Sequence, residues 1–142
     1  MTDEQHPIDI QDAINQRVPT DVVISPDGSR VVFSLGWIAK KGEHAEADLW
    51  LAATDGSSLR RLTSGESNDT QPRWSPDGSL IAFISDREKR GVGALHLISP
   101  DGGEAVRLSK WEANGASPIW APDGARIVVL ATDPETGEEK KR

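Results

Sequence analysis

The chain has 142 residues, enough for one ordinary domain, and its 36% hydrophobic content with 13 Gly and 9 Pro is typical of a turn-rich β protein. Its net charge of −7 argues against nucleic acid as a main partner, because binding to phosphates requires a basic surface. Cysteine is absent, which excludes a disulfide framework, a thiolate nucleophile and a cysteine metal site.

The first segment, residues 1–19, is predicted to be a leader that contains one short helix. Ile10 and Ile14 are spaced to lie on one face of a helix over Ile8–Gln16. The leader has neither the basic nor the apolar region of a secretory signal, and no apolar run of the chain is long enough to span a membrane. We therefore expect a cytoplasmic protein without membrane contact.

A turn motif, Ser-Pro-Asp-Gly or a one-letter variant of it, recurs three times in phase after the leader; a fourth copy, Ser99–Gly102, is out of phase and belongs to the second hairpin of the second unit. The Asp residues of the in-phase copies are 50 and then 46 residues apart, a period that is typical of repeat architectures. Pro fixes φ at the second position of a type I turn, Asp tolerates the third, and Gly adopts the left-handed conformation at the fourth. Each copy is therefore predicted to join two antiparallel strands through a three-residue connection. The three copies are Ser25, Pro26, Asp27 and Gly28; Ser75, Pro76, Asp77 and Gly78; and Ala121, Pro122, Asp123 and Gly124.

The first residue of the motif differs between the copies. Ser25 and Ser75 can cap their turns through a hydroxyl group, whereas Ala121 cannot. We expect the third turn to be slightly weaker than the other two.

Apolar residues flank each turn at fixed offsets. The strand that follows each turn is apolar without alternation, which predicts that both of its faces are buried between neighbouring sheets. Ile24, Trp74 and Trp120 occupy one position just before the turn. The residues assigned to packing between sheets are Trp74, Trp120, Phe33 and Phe83.

A second hairpin, with Asp-Gly between its strands, follows in each of the first two units. In the alignment of these units His96 takes the position of Trp50. Each unit thus holds four antiparallel strands in about 46 residues, the pattern of a β-propeller blade. We predict an all-β fold with a short N-terminal helix, namely an incomplete propeller of about two and a half blades over residues 20–142. The blades cover about 20–63, 71–109 and 117–142, the last one incomplete, whereas roughly four to eight blades close a ring.

No catalytic residue is predicted. A serine hydrolase needs its Ser on a sharp Gly-x-Ser-x-Gly turn near a His and an acid, and the sequence has no such turn. His6, His44 and His96 are interpreted as structural or solvated. The acidic residues at 133–139 lack the spacing of a calcium loop and the glycines form no phosphate loop, so no metal and no cofactor are expected. Two tryptophans outside the repeat are candidates for surface contacts, Trp37 and Trp111.

The segment from Pro72 to Arg87 resembles the propeller repeat shared by TolB-like proteins, which are WD40-like, and prolyl oligopeptidase family serine peptidases. Asp9–Gly28 resembles the opening of the acylaminoacyl-peptidase and dipeptidyl aminopeptidase branch, and Asp133–Arg142 resembles a charged connection in its third blade. The resemblance implies a propeller that caps an α/β-hydrolase domain and restricts access to peptide-sized substrates. The catalytic Ser, Asp and His of that family lie in the hydrolase domain, so none has a counterpart in this chain.

Two functions follow from the resemblance. In the first, the chain is a non-catalytic propeller segment of a cytoplasmic serine peptidase, inactive by itself. Its partners are then the remaining blades, the hydrolase domain and, in the complete enzyme, peptides. The alternative is a TolB-like module that binds other proteins. Because the first and last blades each have an apolar face without a neighbour, we also expect self-association through these faces.

Overall fold

Three antiparallel sheets follow one another along the chain in the computed structural model, which describes residues 7, 9–39, 42, 44–110 and 114–132. One short helix precedes the sheets. The elements are α1 (Ile10–Ile14), β1 (Arg17–Ile24), β2 (Arg30–Trp37), β3 (Ala47–Ala53), β4 (Leu59–Arg61), β5 (Asp69–Trp74), β6 (Ile81–Ser85), β7 (Ala94–Ile98), β8 (Val106–Arg107), β9 (Gly115–Trp120) and β10 (Ile127–Ala131).

Each sheet is a propeller blade with its strands in sequence order. Blade one consists of β1–β4, blade two of β5–β8, and the described part of blade three of β9 and β10. All neighbouring strands within a blade are antiparallel, as a chain of hairpins requires. The prediction of an all-β, incomplete propeller is therefore confirmed.

The first strand of each blade starts earlier than the sequence pattern indicates. β1 starts at Arg17, β5 at Asp69 and β9 at Gly115, two or three residues before the predicted blade boundaries. The strands are longer because pairing with the second strand resumes beyond an irregularity in the first, as in Arg17 opposite Trp37. The helix ends at Ile14 rather than Gln16, since the chain must extend before β1 begins.

The first strands lie at the inner side of the arrangement, because β1 contacts β5 and β5 contacts β9. The fourth strands β4 and β8 lie at the outer edge, where every residue is exposed. A parallel bridge between Ala47 and Asn68 also ties blade one to blade two. Adjacent blades therefore pack face to face and converge at their first strands.

The largest apolar cluster lies between blades one and two, and a second one lies between blades two and three. β6 is buried at all five positions, as expected for a strand between two sheets. The same expectation is wrong for β10, whose Val128 and Leu130 are 63% and 67% exposed, because no fourth sheet covers it in the described part of the chain. The first cluster comprises Val32, Leu49, Leu51, Leu62, Trp74, Ile81, Phe83 and Ile98.

Replacing Phe83 by Ala is expected to lower the free energy of unfolding by about 3–5 kcal/mol, since this ring is completely buried between blades. Phe33 occupies the equivalent position in blade one but is only partly buried, so Phe33→Ala serves as a matched control. We expect the control to cost less than half as much in urea unfolding followed by circular dichroism. Equal losses would contradict the assigned burial.

Candidate functional site

The Ser-Pro-Asp-Gly turns form one end of the propeller. In the first turn the Gly28 amide donates to the Ser25 carbonyl oxygen at 2.9 Å, and Gly28 has φ of +76°, as a left-handed fourth position requires. Gly78 and Gly124 repeat this geometry with φ of +74° and +71°. The connection has four residues instead of the expected three, because the Ser25 amide pairs with the Arg30 carbonyl oxygen at 2.8 Å.

The Ser25 hydroxyl joins two parts of this four-residue connection through hydrogen bonds. It donates to the Asp27 carboxylate at 2.7 Å and accepts the amide N–H of Arg30 at 3.0 Å. The Asp27 carboxylate also accepts the amide and the hydroxyl of Ser29. The fourth loop residue is therefore held by the side chain of the turn Asp, a contact that the turn type alone does not predict.

These hydrogen bonds keep the turn carboxylates ionised. The amide of Ser29, with the hydroxyls of Ser25 and Ser29, lowers the pKa of Asp27 to about 2. In the second turn the hydroxyls of Ser75 and Ser79 lower the pKa of Asp77 to about 2. The turn Asp residues thus act as acceptors that order a loop.

The third turn keeps the backbone geometry without the hydroxyl. Ala121 pairs with Arg126 at 2.8 Å, and Asp123 accepts the amide of Ala125 at 3.0 Å. Ala121 has no group that could accept the amide of Arg126, as Ser25 accepts that of Arg30. The lower stability of this turn stays a prediction.

The turns of adjacent blades lie against each other. A Cβ added to Gly78 would lie 3.7 Å from Pro26 Cδ, and one added to Gly124 would lie 3.7 Å from Pro76 Cδ. The Pro of the first turn and the Pro of the second turn therefore each lie against the Gly of the turn in the following blade. A groove of about 400 Å³ between the second and third turns is lined by Trp120 and residues of both turns.

Two tryptophans connect the inner strands. The indole Nε1–H of Trp74 donates to the Val23 carbonyl oxygen at 3.0 Å, and that of Trp120 donates to the Arg73 carbonyl oxygen at 3.0 Å. Trp74 is 7% exposed and belongs to the apolar cluster between blades one and two. Each indole thus combines apolar packing with a hydrogen bond to the preceding blade, while Ile24 occupies the same position in blade one without a donor.

The inner strands share a second contact, which the sequence interpretation missed. Asp21, Gln71 and Ser117 are non-glycine residues with positive φ of 52°, 56° and 56°, and the pairing of each inner strand shifts register around them. The backbone N–H of Gln71 donates to the Asp21 carboxylate at 3.3 Å, and the backbone N–H of Ser117 donates to the Gln71 side-chain oxygen at 2.6 Å. The signal for this contact in the sequence is the polar residue that stands six positions before each turn Asp.

A structural role for Asp69 was not predicted from the sequence either. This residue is completely buried at the start of β5. Its carboxylate accepts the Ser85 hydroxyl at 2.6 Å and an Arg87 guanidinium N–H at 2.9 Å. Its carbonyl oxygen accepts the Ser34 hydroxyl of blade one at 2.7 Å. The buried negative charge of Asp69 is thus paired with the Arg87 guanidinium, as burial of a charge requires. Through the Ser34 contact, Asp69 also joins blades one and two.

The four residues assigned to packing between sheets occupy different environments. Phe83 and Trp74 lie in the first cluster, and Trp120 packs against the second. Phe33 is adjacent to Val32, which points into the first cluster, so its ring lies on the opposite face of blade one. Phe33 and Trp50 are paired across β2 and β3, as Phe83 and His96 are across β6 and β7.

The described histidines are not arranged for nucleophilic catalysis. His96 is completely buried against Phe83, with Nδ1 at 3.0 Å from the Ala94 carbonyl oxygen and no partner at Nε2, and burial lowers its pKa. His44 lies beside Gly91 in a loop contact.

Within the described ranges no group of His, Asp and Glu could hold a metal ion. His6, Trp111 and the acidic segment at 133–139 lie outside these ranges, whereas Trp37 is 36% exposed with the Arg17 guanidinium over its ring.

The repeated sheets, turns and indole contacts identify a family. The sequence model of the TolB beta propeller domain family matches residues 18–139, which is most of the chain. The chain belongs to the TolB beta propeller domain family. In the described part of this TolB-type propeller, no helix has the length and apolar character needed to cross a membrane.

Two of the relatives of this TolB-type propeller are peptidases. It is 38% identical over 69 residues to the uncharacterized peptidase YuxL of Bacillus subtilis, and 34% identical over 67 residues to dipeptidyl-peptidase 5 of Porphyromonas gingivalis. These matches cover 49% and 47% of this chain but 10% of each relative. The chain therefore spans about a tenth of the curated relatives that it matches.

A solved structure supports the same fold. The β-propeller domain of the Trilobed protease from Pyrococcus furiosus superposes with a TM-score of 0.62 over 81% of this chain and 34% of that domain. Its sequence identity of 20% means that the likeness is one of fold.

Changing Ser75 to Ala is expected to raise the pKa of Asp77 from about 2 toward the ordinary 3.8, because the lost hydroxyl is the largest cause of the shift. A carboxylate with a lowered pKa stabilises the fold above pH 3.8, and this contribution disappears as the pH falls toward 2. The variant should therefore lose less stability over this range than the parent. Carbon NMR of the carboxyl groups measures both pKa values, with Asp27 as internal control; an Asp77 pKa that stays at about 2 would refute the assignment.

Replacing Trp74 by Phe is expected to lower the free energy of unfolding by about 1–2 kcal/mol, because the Val23 carbonyl oxygen loses its indole donor in a partly buried contact. Trp50→Phe is the matched control, because the Trp50 indole N–H has no hydrogen-bond partner to lose, and we expect a smaller loss for it. Urea unfolding measures both. A Trp74 variant as stable as the control would show that the hydrogen bond is unimportant.

Proposed function

We propose that the chain is a non-catalytic propeller segment of a prolyl oligopeptidase family serine peptidase. In this function the propeller caps an α/β-hydrolase domain and restricts its substrates to peptides that fit through the cap. The remaining blades and the hydrolase domain are the partners, and peptides are the substrates of the complete enzyme. A cytoplasmic location is part of this proposal.

The similarity to two peptidases over about half of the chain carries the proposal. The described residues are consistent with a non-catalytic cap, because their hydrogen bonds order turns and join blades. The open apolar face of blade three is also consistent with a segment that packs against further blades. The catalytic Ser, Asp and His would come from the attached domain.

The alternative is a TolB-like module that binds proteins through its surface. The family itself favours this reading, because the matching family is described by TolB rather than by a peptidase. Propeller folds host unrelated functions, so the fold does not decide between the two. Recovery of one stoichiometric protein partner, together with genomic DNA that encodes no hydrolase downstream, would favour the binding module.

The purified chain is expected to show no hydrolysis of peptide p-nitroanilides, because the described histidines are not placed beside a nucleophile. Genomic DNA beyond the codon for Arg142 is expected to continue in frame to a Gly-x-Ser-x-Gly sequence. Turnover by the chain that persists through purification and is abolished by a Ser substitution would contradict the proposal.

Capping is tested separately in a chimera of YuxL that carries blade two of this chain, the blade that contains Phe83. We expect the chimera to match YuxL, assayed beside it, in its rates on short peptide p-nitroanilides and on folded proteins. A second chimera with Phe83→Ala loosens the contact between blades and should accept larger substrates. Equal selectivity in both chimeras would argue against a role in capping.

A further inference from the structure

The two contacts between successive turns differ in one residue. After the first turn, Arg30 reaches across to blade two, where its guanidinium carbon lies 5.3 Å from the centre of the Trp74 ring. Leu80 takes the position of Arg30 after the second turn, since the hydroxyl of the turn serine accepts the backbone N–H of each at 3.0 Å. The second contact between turns therefore has an aliphatic side chain where the first has a cation.

The tryptophans on the far side of these contacts are equivalent. Trp74 and Trp120 both donate their indole N–H to a carbonyl oxygen of the preceding blade at 3.0 Å. Trp74 is 7% exposed next to Arg30, whereas Trp120 is partly exposed next to Leu80. Among the described residues, the ring of Trp120 thus has no counterpart of the cation on Trp74.

The groove between the second and third turns lies at this uncovered ring. Leu80 and Trp120 both line it, and its volume of about 400 Å³ falls within the range of roughly 300–1,000 Å³ that is typical of ligand sites. The place that the chain fills with its own arginine in the first contact is therefore open to a ligand in the second.

The groove is negatively charged. Asp77 and Asp123 line it, one from each turn, and its described lining includes no Lys or Arg. The hydrogen bonds that Asp77 accepts from Ser75 and Ser79 all end on Oδ1, so Oδ2 can accept a further donor. The hydroxyls of Ser75 and Ser79 also keep this carboxylate ionised, because they lower its pKa to about 2. An aromatic ring beside two carboxylates favours a cation.

We propose that this groove, formed by Leu80, Trp120, Asp77 and Asp123, binds an arginine side chain of a partner protein. The guanidinium would lie on the Trp120 ring, as that of Arg30 lies on Trp74, and would donate to the carboxylates. Arginine suits the groove better than lysine, because its planar group stacks on aromatic rings and carries five N–H donors. The site belongs to blades two and three alone, so it goes beyond the peptidase assignment and is independent of any hydrolase domain.

The first test adds acetyl-arginine amide to the full chain and follows the tryptophan ring protons by NMR. We expect saturable shifts at Trp120 and none at Trp74, whose ring is already covered by Arg30. Acetyl-citrulline amide has a similar shape without the charge and should bind at least about fivefold more weakly. Equal binding of the two probes, or shifts that do not favour Trp120, would overturn the proposal.

Free arginine distinguishes a partner protein from a free amino acid as the source of the guanidinium. The described lining has no basic group that could bind an α-carboxylate, so free arginine should bind no more tightly than the blocked probe. Tighter binding of free arginine would overturn the assignment to a partner protein.

Two reciprocal substitutions provide the matched variants. Leu80→Arg supplies the guanidinium from the chain itself and should abolish binding of acetyl-arginine amide at Trp120. Arg30→Leu uncovers the other ring and should create a second site, with new shifts at Trp74. A Leu80→Arg variant that binds the probe as the parent does, or an Arg30→Leu variant without shifts at Trp74, would contradict the proposal.

Discussion

The indole N–H of Trp74 meets the carbonyl oxygen of Val23 where the inner strand of blade two lies on blade one. Apolar side chains of both blades surround this contact and are almost entirely withdrawn from water. A sheet that is apolar on both faces is stable in water when both faces are covered, and β6 of blade two shows this condition met. The contact between blades one and two is therefore a main source of their stability, and the loops and turns bring the sheets into it.

The turns and strand order were predictable because Pro, Asp and Gly have strong local backbone preferences. The start of each inner strand was not, since it depends on pairing beyond a bulge whose left-handed residue is Asp21, Gln71 or Ser117 rather than Gly. Asp69 illustrates a different limit. Its burial rests on Ser85 and Arg87, sixteen and eighteen residues further along the chain, and such pairing cannot be derived without the strand register.

The candidate site was predictable to a similar extent. The repeat marked Trp74 and Trp120 as packing residues, but nothing in the sequence indicated which backbone atoms their indoles bind. A hydrogen bond to a backbone carbonyl oxygen places no constraint on the side chain of the acceptor residue, so the sequence does not reveal it. The same contacts suit a peptidase cap and a protein-binding module, so they do not decide between the two proposed functions.

Among the described residues, the four hydrogen bonds between inner strands all run in one direction along the chain. The donors are Gln71, Trp74, Ser117 and Trp120, and each acceptor belongs to the blade before. A ribosome delivers the chain from its N-terminus, so every acceptor is already synthesised when its donor emerges. Contacts of other strands run the opposite way, since the Ser34 hydroxyl of blade one donates to the Asp69 carbonyl oxygen of blade two, so a blade completes its contacts only after the blade that follows it has been synthesised.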